Sequence, residues 1–218
     1  VFLGDRDKIL ALIRENNLDL ENAEIIDPRS QTEDKRRNYF GDLFFENLRR
    51  KGFTLFEARK IMRERNHFGA MMLQTGEVDA LISGLTRKYP DPIRPGLQII
   101  GTLPGINRVA GMYIIVNKKG PFFFADTTIN INPTAEELVD ITLLTASAVR
   151  KFGIVPRVAL LSYSNFGSSD GEESKKMRKA VAILHEKYPD LIVDGELQAN
   201  FALNTELIGE QFPFSELG

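Results

Sequence analysis

The sequence predicts an α/β protein with a mostly parallel sheet. Short apolar runs alternate with stretches of helical period along its 218 residues, the pattern of strands connected through helices. Polar loops follow Ser83, Ala125 and Leu161, each where an apolar run ends, and open α/β sheets present their ligands at the carboxyl ends of strands. A hairpin-like break at Asn117–Pro121 interrupts the alternation and marks a boundary. The chain therefore reads as a first α/β unit over 1–108, incomplete at its N-terminus, and a second over 109–218 that continues past the chain end. It is read as a segment of a longer protein.

In chain order, Val1–Gly4 reads as a strand end, and Asp7–Asn16 as a helix carrying Ile9, Leu10, Leu12 and Ile13 on one stripe. Ala23–Asp27 is a short strand. From Thr32 a long helix spaces Tyr39, Phe40, Leu43, Phe44 and Leu48 and closes at Lys51-Gly52. Thr54-Leu-Phe-Glu57 has the form of a capping box, opening a helix through Met62, Phe68 and Met71 to Gly76. Asp79–Ser83 reads as a buried strand. The loop Gly84–Pro92 leads to Pro95, suited to a first helical turn, which puts Arg94 at a helix start. A cation there is unfavourable against the helix dipole unless an anion or carboxylate offsets it; pairing with Asp91 or exposure to water is the equal alternative.

Arg108–Val116 and Phe122–Ala125 read as paired strands, and Asp126–Pro133 as a polar loop in which Asn130 and Asn132 suit Asx turns. Thr134-Ala-Glu-Glu137 caps a helix ending at Gly153. Val158–Leu161 is a buried strand, followed by a hydroxyl- and glycine-rich loop and a helix over Glu172–Tyr188. Leu191–Asp194 is the last strand and Phe201–Ile208 a weak helix. The loop after Leu161 stands before a helix N-terminus, whose free N–H groups favour anions. Ser162, Ser164, Ser168 and Ser169 could add hydroxyl donors there. An ordinary cap made by Ser169 or Asp170 is the competing reading, and on residue type alone the favoured one.

Composition removes several classes. A net charge of −2 argues against a surface built to neutralise phosphates in a row, so nucleic acid is not an expected partner. Without cysteine there is no disulfide framework, thiol nucleophile or thiolate-bound zinc. No apolar run nears the roughly 20 residues of a membrane helix. The cytoplasm is the expected compartment, and no metal site is expected. Neither a dinucleotide glycine fingerprint nor a phosphate loop ending in Gly-Lys-Ser/Thr is present. Of the two histidines, His67 reads as packed and His185 as solvated, which argues against a serine–histidine–acid triad. Asp194-Gly-Glu196 reads as structural.

Four stretches closely resemble the phosphate acetyl/butyryl transferase family: Arg94–Ile100, Phe124–Asp126 with Asn130–Leu138, Pro156–Ser164, and Pro189–Leu197. Within it, Ile141–Leu144, Asn165–Ser169 and Lys176–Ala180 are similar to the version fused behind the malic domain of large bacterial NADP-dependent malic enzymes. The resemblance implies a phosphotransacetylase or isopropylmalate dehydrogenase-like fold, two α/β/α subdomains with a cleft between them that binds coenzyme A and acyl phosphate. It implies a phosphate or coenzyme contact for Arg94, and for Arg49 or Arg50, between which the match does not choose. Thr86 and Arg87 belong to the same binding set, with Ser162, Ser164, Ser168 and Ser169; Asp126, Asn130 and Asn132 line the cleft. The family's catalytic serine and aspartate fall beyond the end of this chain, and Leu85–Pro90 replaces the family's small hydroxyl loop.

The expected function is therefore an acetyl-CoA-binding, regulatory transacetylase-like domain of an NADP-dependent malic enzyme. NADP and a divalent metal would belong only to the malic domain, which would be its partner in the same polypeptide. Homo-oligomerisation is expected. The alternatives are a phosphate acetyltransferase moving acetyl between coenzyme A and phosphate, and a scaffold that only oligomerises.

Overall fold

A computed structural model describes residues 1–20, 22–85, 87–102, 104, 106 and 108–218. It is a mixed α/β structure whose contacts fall into two compact units, Val1–Leu103 and Pro104–Gly218.

In the first unit, β1 (Phe2–Leu3) pairs in parallel with β2 (Ile25–Ile26), the two being joined through α1 (Arg6–Glu15). Asp5 caps α1 by accepting from the Lys8 N–H at 3.1 Å. After β2 the chain turns through Pro28–Ser30, a turn clamped by Arg37, which donates to the carbonyls of Pro28 (2.7 Å) and Ser30 (2.5 Å) and pairs with Asp34. Arg37 is buried because those acceptors replace its water. It lies on α2 (Asp34–Leu48), at the N-terminal end of the same buried stripe on which Phe40, Phe44 and Leu48 enter the core at i, i+4, i+8 spacing.

The continuous helix expected from Thr54 to Gly76 is two. The capping box of Thr54 and Glu57 starts α3 (Leu55–Ile61) as expected, but Arg63 and Glu64 donate to carbonyls three residues back and close the helix before α4 (Arg65–Gln74) begins. The break lets Met62 and Phe68 share one core with Phe40, Phe44 and Met71. Asp79–Ser83 is neither strand nor buried. A strand needs a bonded neighbour, and the contacts recorded for this segment are to α4 instead: Leu81 lies against Gly69, and the Ser83 hydroxyl donates to Asn66 Oδ1 at 2.7 Å. Arg94 does not start a helix. Pro90 does, its fixed φ and missing N–H suiting the first position of α5 (Pro90–Pro95). Pro95 lacks the amide to continue an α-ladder, and a π-type turn, Gly96–Ile100, follows.

The second unit opens with β3 (Met112–Asn117) and β4 (Gly120–Ala125), an antiparallel hairpin. The box of Thr134 and Glu137 then caps α6 (Ala135–Arg150). β5 (Arg157–Leu161) and β6 (Ile192–Leu197) pair in parallel, connected through α7 (Glu172–Lys187). Leu160, Val193, Ala180, Leu184 and Val139 form the core between this pair and α6 and α7, each large apolar side chain contributing about 1.5–3 kcal/mol by leaving water. The last expected helix is again two, α8 (Ala199–Ala202) and α9 (Thr205–Gln211), because the Asn204 side chain caps a new start at the Leu207 N–H. Among the described residues no helix is long and apolar enough to cross a membrane.

Candidate functional site

Each of the two polar loops of the second unit is wound around one carboxylate. The serine-rich loop leaves β5 at Leu161 and enters α7 at Glu172. Beneath it, β6 carries a bulge: Leu160 pairs with Gly195 and Leu161 with Leu197, leaving Glu196 between them. A bulge re-aims a side chain, and Glu196 is fully buried. Its Oε1 accepts from Ser164 Oγ (2.9 Å), the Gly167 N–H (2.9 Å) and Arg178 Nη1 (2.8 Å), while its main-chain oxygen accepts from the Phe166 N–H (2.8 Å). Burial opposes ionisation, but these donors outweigh it and hold the carboxyl below the usual glutamate range.

The four serines divide by direction. Ser164 is buried, bonded to Ser174 Oγ at 2.7 Å as well as to Glu196. Ser162 is half-buried and lies 3.3 Å from Ser174 Oγ. Ser168 is exposed and receives the Asn165 N–H, and Ser169 receives the Gly171 N–H and meets the Tyr163 hydroxyl at 3.0 Å. Neither Ser169 nor Asp170 caps α7. The cap is Gly171, without a side-chain bond, and a Cβ there would collide with the Tyr163 hydroxyl. The hydroxyl of Ser169, then that of Ser174, lowers the phenol's pKa.

The second loop follows β4. Asp126 Oδ1 accepts from the N–H groups of Gly111 (2.9 Å), Thr128 (3.0 Å) and Ile129 (3.1 Å), and Oδ2 from that of Asn130 (2.7 Å). The Asn130 amide also bridges Asp126 and the Val109 carbonyl. Burial works against the charge, yet the N–H groups of Thr128, Asn130 and Ile129 with the Asn130 side chain pull the carboxyl from 3.8 to about 2. A depressed folded-state value stabilises above the unfolded one and is lost as pH falls. Asp126 is thus expected to stabilise the fold by on the order of 2 kcal/mol at neutral pH, fading from pH ~4 towards pH ~2. Denaturation of Asp126→Asn and wild type should show a gap that narrows on acidification; a pH-independent gap would refute the assignment.

Both loops meet the first turns of α7, Ser174 holding the serine loop and Lys176 donating to Asn132 Oδ1 at 2.8 Å. In the sequence Asp194-Gly-Glu196 reads as structural, and Arg178 and Ser174 have no role of their own. A signal existed, since Ser174 and Arg178 are i, i+4 and share one face of α7. Gly195 interrupts strand alternation before Glu196, but nothing in the spacing ties that carboxylate to the serine loop.

In the first unit, Arg94 is exposed in the last turn of α5, and no carboxylate pairs with it among the described residues, Asp91 included. Arg49 pairs with Glu46 at 3.1 Å, Arg50 is exposed, and Arg87 lies 3.7 Å from Glu64. Thr86 lies outside the described residues. His67 is buried on α4, with Nε2 3.3 Å from Gln98 Oε1, and burial depresses its pKa. His185 is exposed, its Nε2 2.7 Å from the Val193 carbonyl oxygen. Among the described residues no group of three or more His, Asp or Glu side chains could hold a metal.

The parallel pair β5–β6, with a polar loop braced at the carboxyl end of β5, gives the chain an α/β frame of the kind that presents ligand sites at strand ends. The family is shown by comparison: the phosphate acetyl/butaryl transferase model matches residues 1–218, and the chain belongs to that family. The phosphate acetyltransferase of Clostridium acetobutylicum is 39% identical over 224 residues, which cover 100% of this chain and 66% of that protein. A phosphotransacetylase structure from Streptococcus pyogenes matches with a TM-score of 0.79 at 34% identity, over 98% of this chain and 64% of that one. The chain thus spans just under two-thirds of these relatives.

These matches overturn the malic-enzyme reading. The NADP-dependent malic enzyme of Escherichia coli is 39% identical over 185 residues, but these cover 84% of this chain and only 24% of that enzyme. The phosphate acetyltransferases of Clostridium acetobutylicum and Bacillus subtilis match the whole chain over 66% of their own length, and solved phosphotransacetylases share its fold. An oxidoreductase role, with NADP and a metal in a companion malic domain, is set aside.

Proposed function

We propose that the chain serves a phosphate acetyltransferase, moving acetyl between coenzyme A and phosphate. The observation that carries this reading is the family match over all 218 residues, joined by phosphate acetyltransferases that align with the whole chain. In the reaction a phosphate oxygen attacks the thioester carbonyl, the carbon–sulfur bond breaks, and the sulfur leaves as coenzyme A after taking a proton. The rate depends on holding phosphate beside the carbonyl and on charge stabilisation as the bond forms.

Arg94 suits the first task, being an exposed guanidinium with no carboxylate to neutralise it among the described residues. Arg49 or Arg50, Thr86 and Arg87 complete the proposed phosphate and coenzyme contacts of the first unit. In the second unit Ser168 and Ser169 face the ligand, Ser162 and Ser164 shape the loop behind them, and Asp126, Asn130 and Asn132 form the neighbouring wall.

Calorimetric titration with coenzyme A should show saturable binding, and coenzyme A mixed with acetyl phosphate and the full-length protein, with the serine and aspartate that the resemblance puts beyond this chain, should yield the thioester. Binding without thioester would reject the transferase reading; no binding would leave the scaffold. Arg94→Ala is expected to weaken coenzyme A binding by about 1.5–3 kcal/mol, the range for hydrogen bonds to charged groups. An unchanged affinity would remove Arg94 from the site.

A further inference from the structure

Glu196 is buried and charged, and it holds the serine loop from below without reaching solvent. Its side chain and main chain together fix Ser164, Phe166 and Gly167. Its ion partner Arg178 extends the grip by donating to the Ser169 carbonyl at 3.1 Å and lying 3.7 Å from Asp170. One carboxylate and one guanidinium thus fix the loop from residue 164 to 169.

An ion pair with one partner fully buried is weak evidence for stability, because the lost hydration of Glu196 offsets most of its attraction to the half-buried Arg178. What such a pair does determine is geometry, since each charge tolerates only the arrangement that satisfies it. Glu196 is also not placed to take a proton from a ligand. Its Oε1 already has three donors, and Oε2 is buried with no hydrogen-bond partner among the described residues.

We propose that Glu196, acting through Arg178, is the positioning residue that presets the Ser162–Gly171 loop to receive coenzyme A. The coenzyme half of this proposal rests on the transferase reading above; the presetting of the loop does not.

Glu196→Gln and Glu196→Ala separate the contributions. Glutamine keeps an oxygen for Ser164 and Gly167, and its amide occupies the place of the unpartnered Oε2, so it removes chiefly the charge that holds Arg178. Alanine removes every side-chain contact. Three quantities are measured in the full-length protein: amide hydrogen exchange across 162–171, the Kd for coenzyme A, and kcat against KM for acetyl transfer. The glutamine variant should exchange about tenfold faster in the loop, with Kd and KM raised by a similar factor, the equivalent of losing one charge-assisted bond. Its kcat should stay within about twofold, because a positioning residue acts on binding rather than on the bond-breaking step. Alanine should exceed glutamine in exchange and Kd.

Faster exchange with Kd and KM unchanged would overturn the proposal, since the clamp would then be structural only. Unchanged exchange in both variants would overturn it as well. A wild-type protein that binds no coenzyme A would refute the transferase reading and the coenzyme half of the proposal, while exchange would still decide whether Glu196 sets the loop.

Discussion

Phe40→Ala is expected to destabilise the first unit by about 3–5 kcal/mol, the range for removing a buried aromatic ring. Phe40 is fully buried, packs edge-on against Phe68 at 5.1 Å between ring centroids, and has the Arg36 guanidinium 5.8 Å from its ring centre. Truncation forfeits the transfer energy of the ring and leaves a cavity walled by α2 and α4, neither of which can close it alone. Arg36 restrains relaxation further, because it also lies over Phe68 and pairs with Glu33 and Glu77. Tyr39, one residue earlier and 55% exposed, provides the control; Tyr39→Ala should cost about 1 kcal/mol or less. Urea denaturation, with exchange of the α2 and α4 amides as the local reporter, measures both. A loss below about 1 kcal/mol at Phe40 would mean that the unit repacks around the gap and that its core is less closely fitted than the geometry implies.

Phe40 also shows what is legible in the sequence. Its spacing with Phe44 and Leu48 identifies the buried face of α2 because one stripe faces one core, and both capping boxes are local patterns that need no partner. The Asn117–Pro121 hairpin was visible for the same reason. What failed depended on distant chain. Asp79–Ser83 has a strand's composition, but strand formation requires a neighbour, which composition does not record. The break between α3 and α4 falls in a stretch of unbroken helical period and is set by the need to bring Met62 and Phe68 into one core. Pro95 suggests a helix start at Arg94, whereas Pro90 is the proline that begins the helix. In the candidate site, the serine loop was placed correctly between strand and helix, yet the hydroxyl of Ser164 points inward to a carboxylate 32 residues later. No spacing rule reaches that far.

Gly195→Ala is expected to cost on the order of 2–6 kcal/mol, summing a strained backbone and an overpacked contact of about 1–3 kcal/mol each. Gly195 adopts φ +143°, a conformation that side-chain-bearing residues rarely reach, and its added Cβ would stand 2.6 Å from the Leu160 carbonyl oxygen. That oxygen belongs to the backbone of β5, so the clash cannot be relieved by rotating a side chain; the strands must part. Parting them acts at the bulge that aims Glu196, so the substitution should displace the carboxylate while leaving its charge intact. This separates position from charge. If the serine loop depends on where the carboxylate sits, Gly195→Ala should loosen residues 162–171 in hydrogen exchange at least as much as Glu196→Gln does, although Glu196 and Arg178 are both still present. Global destabilisation with the loop's exchange rising no more than that of α6 would show that the bulge serves the sheet and that the loop takes its shape from Arg178 and Ser174 alone.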